Sequence, residues 1–253
     1  MKKLLSKTIY LLSRSAFISK ASKKITDYHR NENNCEITTN GELDFIMNNK
    51  EKFDVIFDVG ANVGEWTEFV SKTIPKAHVY SFEPSKQTFK TLSKNTFPNT
   101  VHLFNIGLGK TTEEIDFYVY GDDSTLNSAF NRDLEQNNLH AHVEKAQFQT
   151  LDSFCTEHNI SHVSFLKIDT EGNELSVLQG AEQYLTQGKI NAIQFEYGGT
   201  YIDSGIILKD IFTFFKNKPY TILKMMQHGL VEVPEYSQEL ENFQYANYIA
   251  RLK

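Results

Sequence analysis

The stretch DVIFDVGANVG, residues 54–64, restricts the fold more than any other part of the chain. Residues 54–59 form a mostly apolar run with β-branched side chains, which suits a strand buried on both faces. Gly60 ends the run, and a helical pattern is expected over 65–73. A buried strand that turns through glycine straight into a helix is the opening of a βαβ unit, and it commits the next strands to a parallel sheet.

The alternation then continues. Strands are expected at 78–82, 101–105, 163–168 and 190–196, with helices at 86–95, 151–158, 174–186 and 206–216. A helix at 41–50 precedes the first strand. The tail, 220–226 and 243–251, is expected to pair as an antiparallel hairpin at one sheet edge. Strands at 114–120 and 146–150 bracket a polar segment, 121–145, which interrupts the rhythm as an inserted loop or lid. The expected architecture is α/β and Rossmann-like: a mostly parallel sheet with helices on both faces. Residues 51–253 would form this domain, and 1–50 a basic amphipathic helix followed by a polar, Asn-rich linker.

Three sites at strand ends carry chemistry. In Asp58-Val-Gly60-Ala-Asn62-Val-Gly64 the glycines let the backbone turn tightly, and the helix start offers free N–H groups and a positive dipole end. A dinucleotide fingerprint would have glycine where Asn62 stands. A smaller ligand, with a carboxylate for the turn and an amine for Asp58, suits the spacing better. Glu83 ends the second strand in Phe-Glu-Pro, 19 residues past Gly64, where a carboxylate can accept both hydroxyls of a ribose. Asp169 and Glu171 follow the strand 163–168 in Lys167-Ile-Asp-Thr-Glu-Gly-Asn-Glu174. They could orient or deprotonate a hydroxyl, or hold a divalent cation through oxygen ligands; capping of the next helix is the structural alternative for Glu171 and Glu174. Glu196, at the end of the following strand, is a fourth acid on the same sheet edge.

Charge is distributed unevenly. Residues 1–24 hold seven Lys or Arg and no acid, leaving 19 basic against 32 acidic residues in the body. An acidic body argues against nucleic acid as partner. Leu5, Ile9, Leu12 and Ala16 recur at helical spacing, so the leader is expected to be a basic amphipathic helix, packed on the domain or lying on anionic lipid. No run approaches the roughly 20 apolar residues of a membrane span. Two distant cysteines, Cys35 and Cys155, exclude a disulfide framework or a zinc knuckle and suggest a reducing cytosol, with the leader as a contact to the inner membrane surface.

Taken together, FDVGANVGEW, SFEPSKQTFKTL, NIGLG, STLNSAF, TLDSF and FLKIDTEGNELSVLQGAEQYL resemble the FkbM-type methyltransferases over about residues 54–200, with a looser likeness in ENFQYANYIA. The resemblance implies a class I methyltransferase fold, S-adenosylmethionine as cofactor, and O-methylation of a hydroxyl on a sugar, glycan or other small metabolite. It implies that Asp58, Gly60, Asn62 and Gly64 hold the methionine end, that Glu83 holds the ribose, and that Pro84 with Asn105 or Ile106 lies near the adenine. Asp169, helped by Glu171, would stand beside the methyl group and the acceptor. Asp152 also matches a family position; as a residue it serves equally well as a helix cap. An acid near the adenine after the third strand is missing here. Metal dependence and oligomeric state are left open, and no dedicated metal ligand set is assigned. Two other readings stay in play: an NAD-dependent oxidoreductase in the same crevice, and a non-catalytic module associated with membranes.

Overall fold

The computed structural model describes residue 10 and residues 12–121, 124–132 and 140–253. The chain enters through α1 (Ala16–Arg30), capped by Ser15 at its start and by left-handed Asn31 at its end, with no buried residue. Leu5 and Ile9 of the expected leader stripe lie outside the described residues, and the helix runs six residues past the predicted boundary at 24.

After α1 the chain does not loop free. Asn31 donates to the carbonyls of Asn40 and Met225, Glu32 pairs with Lys224 at 2.9 Å, and α2 (Glu42–Asn49) buries Phe45 and Ile46 against the sheet. The predicted linker is therefore corrected to a built-in part of the domain. Its asparagines serve as hydrogen-bond partners for turns and strand ends, a use that polar composition alone does not distinguish from a loop.

The strands β1 (Val55–Val59), β2 (His78–Phe82) and β3 (Val101–Phe104) pair in parallel. Helices α3 (Glu65–Thr73) and α4 (Lys86–Leu92) make the crossovers. Then β4 (Gly107–Leu108), β5 (Glu113–Val119) and β6 (His142–Gln149) form a separate three-stranded sheet in the order β4-β6-β5. The inserted loop is thus shorter than predicted, because His142–Lys145 pair with Asp116–Val119 across the ladder.

After α5 (Leu151–Glu157) the main sheet resumes with β7 (Val163–Ile168), parallel to β1. The single helix predicted over 174–186 is two, α6 (Glu174–Gln179) and α7 (Glu182–Thr186). The break falls at Gly180, where a Cβ would come within 2.0 Å of the Gly109 carbonyl, so the second sheet presses on the helix at that point. Asp152 accepts from the amides of Gln183 and Tyr184 and caps α7; Thr150 is the N-cap of α5. The expected capping role survives, on a different helix, and no ligand role for Asp152 follows.

β8 (Ile190–Tyr197) lies parallel to β7 and is followed by α8 (Thr200–Ser204), α9 (Leu208–Phe215), β9 (Tyr220–Met226), β10 (Gly229–Glu232) and β11 (Ala246–Leu252). The eight strands run in the order β10-β9-β11-β8-β7-β1-β2-β3. The tail is more than a hairpin added at the edge. β11 inserts antiparallel between β8 and β9, and β10, a strand the sequence pattern did not reveal, folds back on β9 as the edge. One face of the sheet buries Phe57, Val59, Leu166 and Phe195 against α5, α6, α7 and α9. The other buries Ile56, Val79 and Phe165 against α2 and α3. This is a doubly wound, Rossmann-like class I arrangement. Strand order reverses between β1 and β7, and a crevice opens beyond the carboxyl ends of those strands.

Candidate active site

A cavity of about 700 Å³ occupies that crevice. Its size falls in the range of small-ligand sites. The strand ends supply its floor: Gly60–Val63 after β1, Glu83 and Pro84 after β2, Asp169–Glu171 after β7, and Glu196 on β8.

The glycine turn is fixed by close approach. Gly60 has φ +86°, and a Cβ there would stand 1.8 Å from the Asp169 carbonyl. Two loops from adjacent strands therefore touch backbone to backbone, and only glycine permits it. Asn62 is also left-handed, φ 48°, a conformation that asparagine tolerates better than most side chains. Its side chain donates to the Ser124 carbonyl of the inserted segment at 3.1 Å.

Glu83 ties the turn to the next strand. Its carboxylate accepts from the Asn62 amide at 3.0 Å and the Ser85 amide at 2.9 Å. Burial raises the carboxyl to about 7, although both amides favour the ionised form.

Beneath the floor runs a polar row set by strand register. Ser81, Asp58, Lys167 and Gln194 are direct neighbours on β2, β1, β7 and β8, so their side chains emerge on one face. Thr67 donates to Asp58 at 2.6 Å and meets Ser81 at 2.8 Å. The Lys167 ammonium sits 2.9 Å from Asp169 and 3.8 Å from Asp58. Burial works against charge on Lys167, but the two carboxylates outweigh it and keep the amine protonated. Burial would likewise raise Asp169; the ammonium overrides that and holds its carboxyl below the usual range.

Asp169, Glu171 and Glu196 bring carboxylate oxygens within 4.8 Å of one another. Burial, and then repulsion from Asp169, lifts Glu171 to about 8 even though Arg132 pairs with it at 3.1 Å. Burial with the same two acids also lifts Glu196 well above its ordinary value. Oxygen ligands so arranged could hold a divalent cation. Glu174 turns the other way. It accepts from the Thr170 amide and hydroxyl and from the Gly172 amide, stapling the loop before α6, which was the alternative that helix-start acids suggested.

Six of the predicted site residues therefore meet in one cavity: Gly60, Asn62, Glu83, Pro84, Asp169 and Glu171. Four others stand outside its wall. Asp58 is fully buried in the polar row and is engaged by Thr67 and Lys167. Gly64 caps α3 at φ +92°, where a Cβ would come 2.5 Å from Leu92. Asn105 donates to the carbonyls of Glu83 and Pro84 and so holds the second turn, and Ile106 packs on the core. These four shape the site from behind.

The sequence pattern gave no role to Lys167, Glu42, Trp66 or Tyr245, which also line the cavity. Lys167 had a signal available: a lone charge inside the buried strand VSFLKI. Glu42 and Tyr245 are far away in sequence and reach the site only through tertiary packing.

The profile of the Methyltransferase FkbM domain family matches residues 58–225. Among curated relatives, hexuronic acid methyltransferase AglP of Haloferax volcanii is 29% identical over 68% of this chain and 66% of its own. Methyltransferase 1 of Beauveria bassiana is 27% identical over 50% of this chain and 58% of its own. The 2-O-methyltransferase NoeI of Sinorhizobium fredii is 26% identical over 63% of this chain and 70% of its own. The chain thus spans between somewhat over half and two thirds of the first two relatives. A crystal structure of an FkbM methyltransferase from Methylobacillus flagellatus aligns with TM-score 0.49 at 17% identity, covering 78% of this chain and 44% of that one.

Proposed function

The chain belongs to the FkbM methyltransferase family, and from that premise we propose that it is an S-adenosylmethionine-dependent O-methyltransferase acting on a hydroxyl of a sugar, glycan or other small metabolite. One observation carries the reading: the buried carboxylate of Glu83 and the glycine turn after β1 face the same cavity as the Asp169 carboxylate.

The residues present fit such a cofactor. The Gly60–Asn62 backbone would hold its amino-acid end, Glu83 its ribose hydroxyls, and Pro84, Leu108 and Phe148 would surround the base, in place of Asn105 and Ile106. When bound, it supplies a methyl group on a sulfonium, a leaving group that needs no acid from the protein. The protein's work is positioning and proton removal. Asp169, kept ionised by Lys167, accepts a hydrogen bond from the acceptor hydroxyl and orients its oxygen. A hydroxyl becomes strongly acidic as its oxygen forms a new bond, so a weak base is enough to take the proton. Glu171 and Arg132 fix the neighbouring loop and the inserted segment, where Ser128 donates to the Glu171 carbonyl at 2.8 Å.

The leader favours a peripheral membrane contact through residues 1–24 and the helix that continues from them. Phe17, Ile25 and Tyr28 are 81%, 69% and 60% exposed. Lys20, Lys23 and Lys24 share the helix. Among the described residues no helix is long and apolar enough to cross a membrane. Co-sedimentation with anionic vesicles, with and without residues 1–24, tests this contact.

The main test is calorimetry with S-adenosylmethionine and with NAD, followed by incubation with methyl-labelled cofactor and fractionated extract. Binding of the methyl donor and label in a glycan or small-metabolite fraction are expected. Binding of NAD instead, or cofactor binding with label only in protein or nucleic acid, refutes the reading.

A further inference from the structure

Beyond Asp169 the cavity wall is crowded with acids. Glu36, Glu42, Glu65, Asp169, Glu171 and Glu196 line it, and Lys167 is the one lining cation among the described residues. Lys167 is already in use. Its ammonium is shared between Asp169 at 2.9 Å and Asp58 at 3.8 Å, lies 5.4 Å from the Trp66 ring centroid, and is 7% exposed.

Arg132, at the rim, is closed in the same way. It contacts Glu171 at 3.1 Å and Asp203 at 3.3 Å, with 12% of its side chain exposed. Recognition of a carboxylate or phosphate draws on a guanidinium or ammonium whose charge is not already balanced by neighbouring carboxylates. Among the described residues each of these two cations already faces two carboxylates.

The acids themselves are at their limit. Asp169, Glu171 and Glu196 already bring carboxylate oxygens within 4.8 Å of one another. Carboxylates this close repel a further negative charge placed beside them. Hydroxyl and ammonium groups are donors and suit such a wall, and Trp66, Phe69 and Tyr245 give it flat apolar surface for the carbon face of a ring.

From this cavity wall we propose that the acceptor is a sugar residue carrying no acidic group next to the hydroxyl that is methylated: a neutral or amino sugar, and neither a uronic acid nor a sugar phosphate. This rests on the proposed function and narrows it.

The test uses the full chain with methyl-labelled cofactor and a chelator, which excludes a bridging metal. Methyl glycosides of glucose, glucosamine and glucuronic acid, together with a glycolipid extract, are offered as acceptors. Products are hydrolysed and the labelled monosaccharide identified. Label in neutral or amino sugars, exceeding that in uronic acid by at least about tenfold, is expected from one added like charge at this range. Equal or greater labelling of uronic acid or sugar phosphate overturns the inference, and so does the absence of any labelled sugar from protein that binds the cofactor. Failure to bind the cofactor at all defeats the earlier reading first and is seen separately by calorimetry. Glu36→Lys, on an exposed turn, should move the ratio of uronate to neutral labelling upward by about tenfold; an unchanged ratio counts against the charge argument.

Discussion

Replacing Glu83 with glutamine separates the two things this carboxylate does. In the folded protein burial raises the group to about 7 from an ordinary value of 4.5. Between those values the unfolded chain has lost the proton and the folded chain still holds it, so stability falls as pH rises from about 4.5 to 7 and stays low above that. The size of the effect is about 3 kcal/mol, from roughly 1.4 kcal/mol for each pH unit between the two values. Glutamine has no such proton. It does lose an acceptor, since the Asn62 and Ser85 amides both point at the carboxylate, at a cost of about 1–3 kcal/mol at every pH. The variant should therefore be less stable than the parent at pH 5 and about equal to it or better at pH 8. For a chain of this size that swing corresponds to about 6–12 °C in the difference between their melting temperatures. Melting of both proteins without cofactor at half-unit steps from pH 5 to 8 measures it. On the proposed placement of the ribose at Glu83, calorimetry at pH 8 should show cofactor affinity reduced by about a hundredfold, since the ribose hydroxyls would lose their charged acceptor. A melting difference that stays constant across the pH range would refute the claim that Glu83 is a buried acid working against the fold for the sake of its ligand.

Other substitutions probe the remaining parts. Asp169→Asn should leave cofactor affinity within a few-fold of the parent while turnover drops by about 10²–10⁴, read by calorimetry and initial rates; equal turnover would remove Asp169 from the reaction. Lys167→Met strands the buried Asp58 carboxylate and should cost about 3–5 kcal/mol in chemical denaturation, whereas a loss below 1 kcal/mol would show that the ion pair is dispensable. In the same variant Asp169 loses the charge that holds it low, so the acidic limb of the rate profile should move to higher pH. Gly60→Ala forces a side chain into φ +86° and against the Asp169 carbonyl. It should cost about 1–3 kcal/mol from backbone strain alone and weaken cofactor binding as well; unaltered melting and binding would mean that the two loops do not need their contact.

Much of this protein can be read along the chain. The run DVIFDV ending at Gly60 and the strand VSFLKI ending before Asp169 announce a parallel sheet, because continuous apolar runs separated by helical periods have no other economical packing. Glu83 is legible for the same local reason: it is the first charge after an apolar strand, followed by a proline. Where sequence reading went astray, the cause was long-range packing. Register, which no local pattern carries, sets Asp58 inside β1 beside Ser81 and Lys167, under the floor of the cavity. The helix expected through 174–186 breaks because a second sheet presses on Gly180, and β10 exists only because β9 offers it an edge. Local sequence thus determined the parallel strands of the main sheet, which turns need glycine and where acids collect at strand ends, since each depends on neighbours within a few residues. Tertiary structure alone decided which of those acids share a cavity, which cations are already engaged by them, and that Glu42 and Tyr245 complete the wall. Charge and burial act through space, and distances of a few ångströms between residues more than a hundred positions apart are set by the sheet.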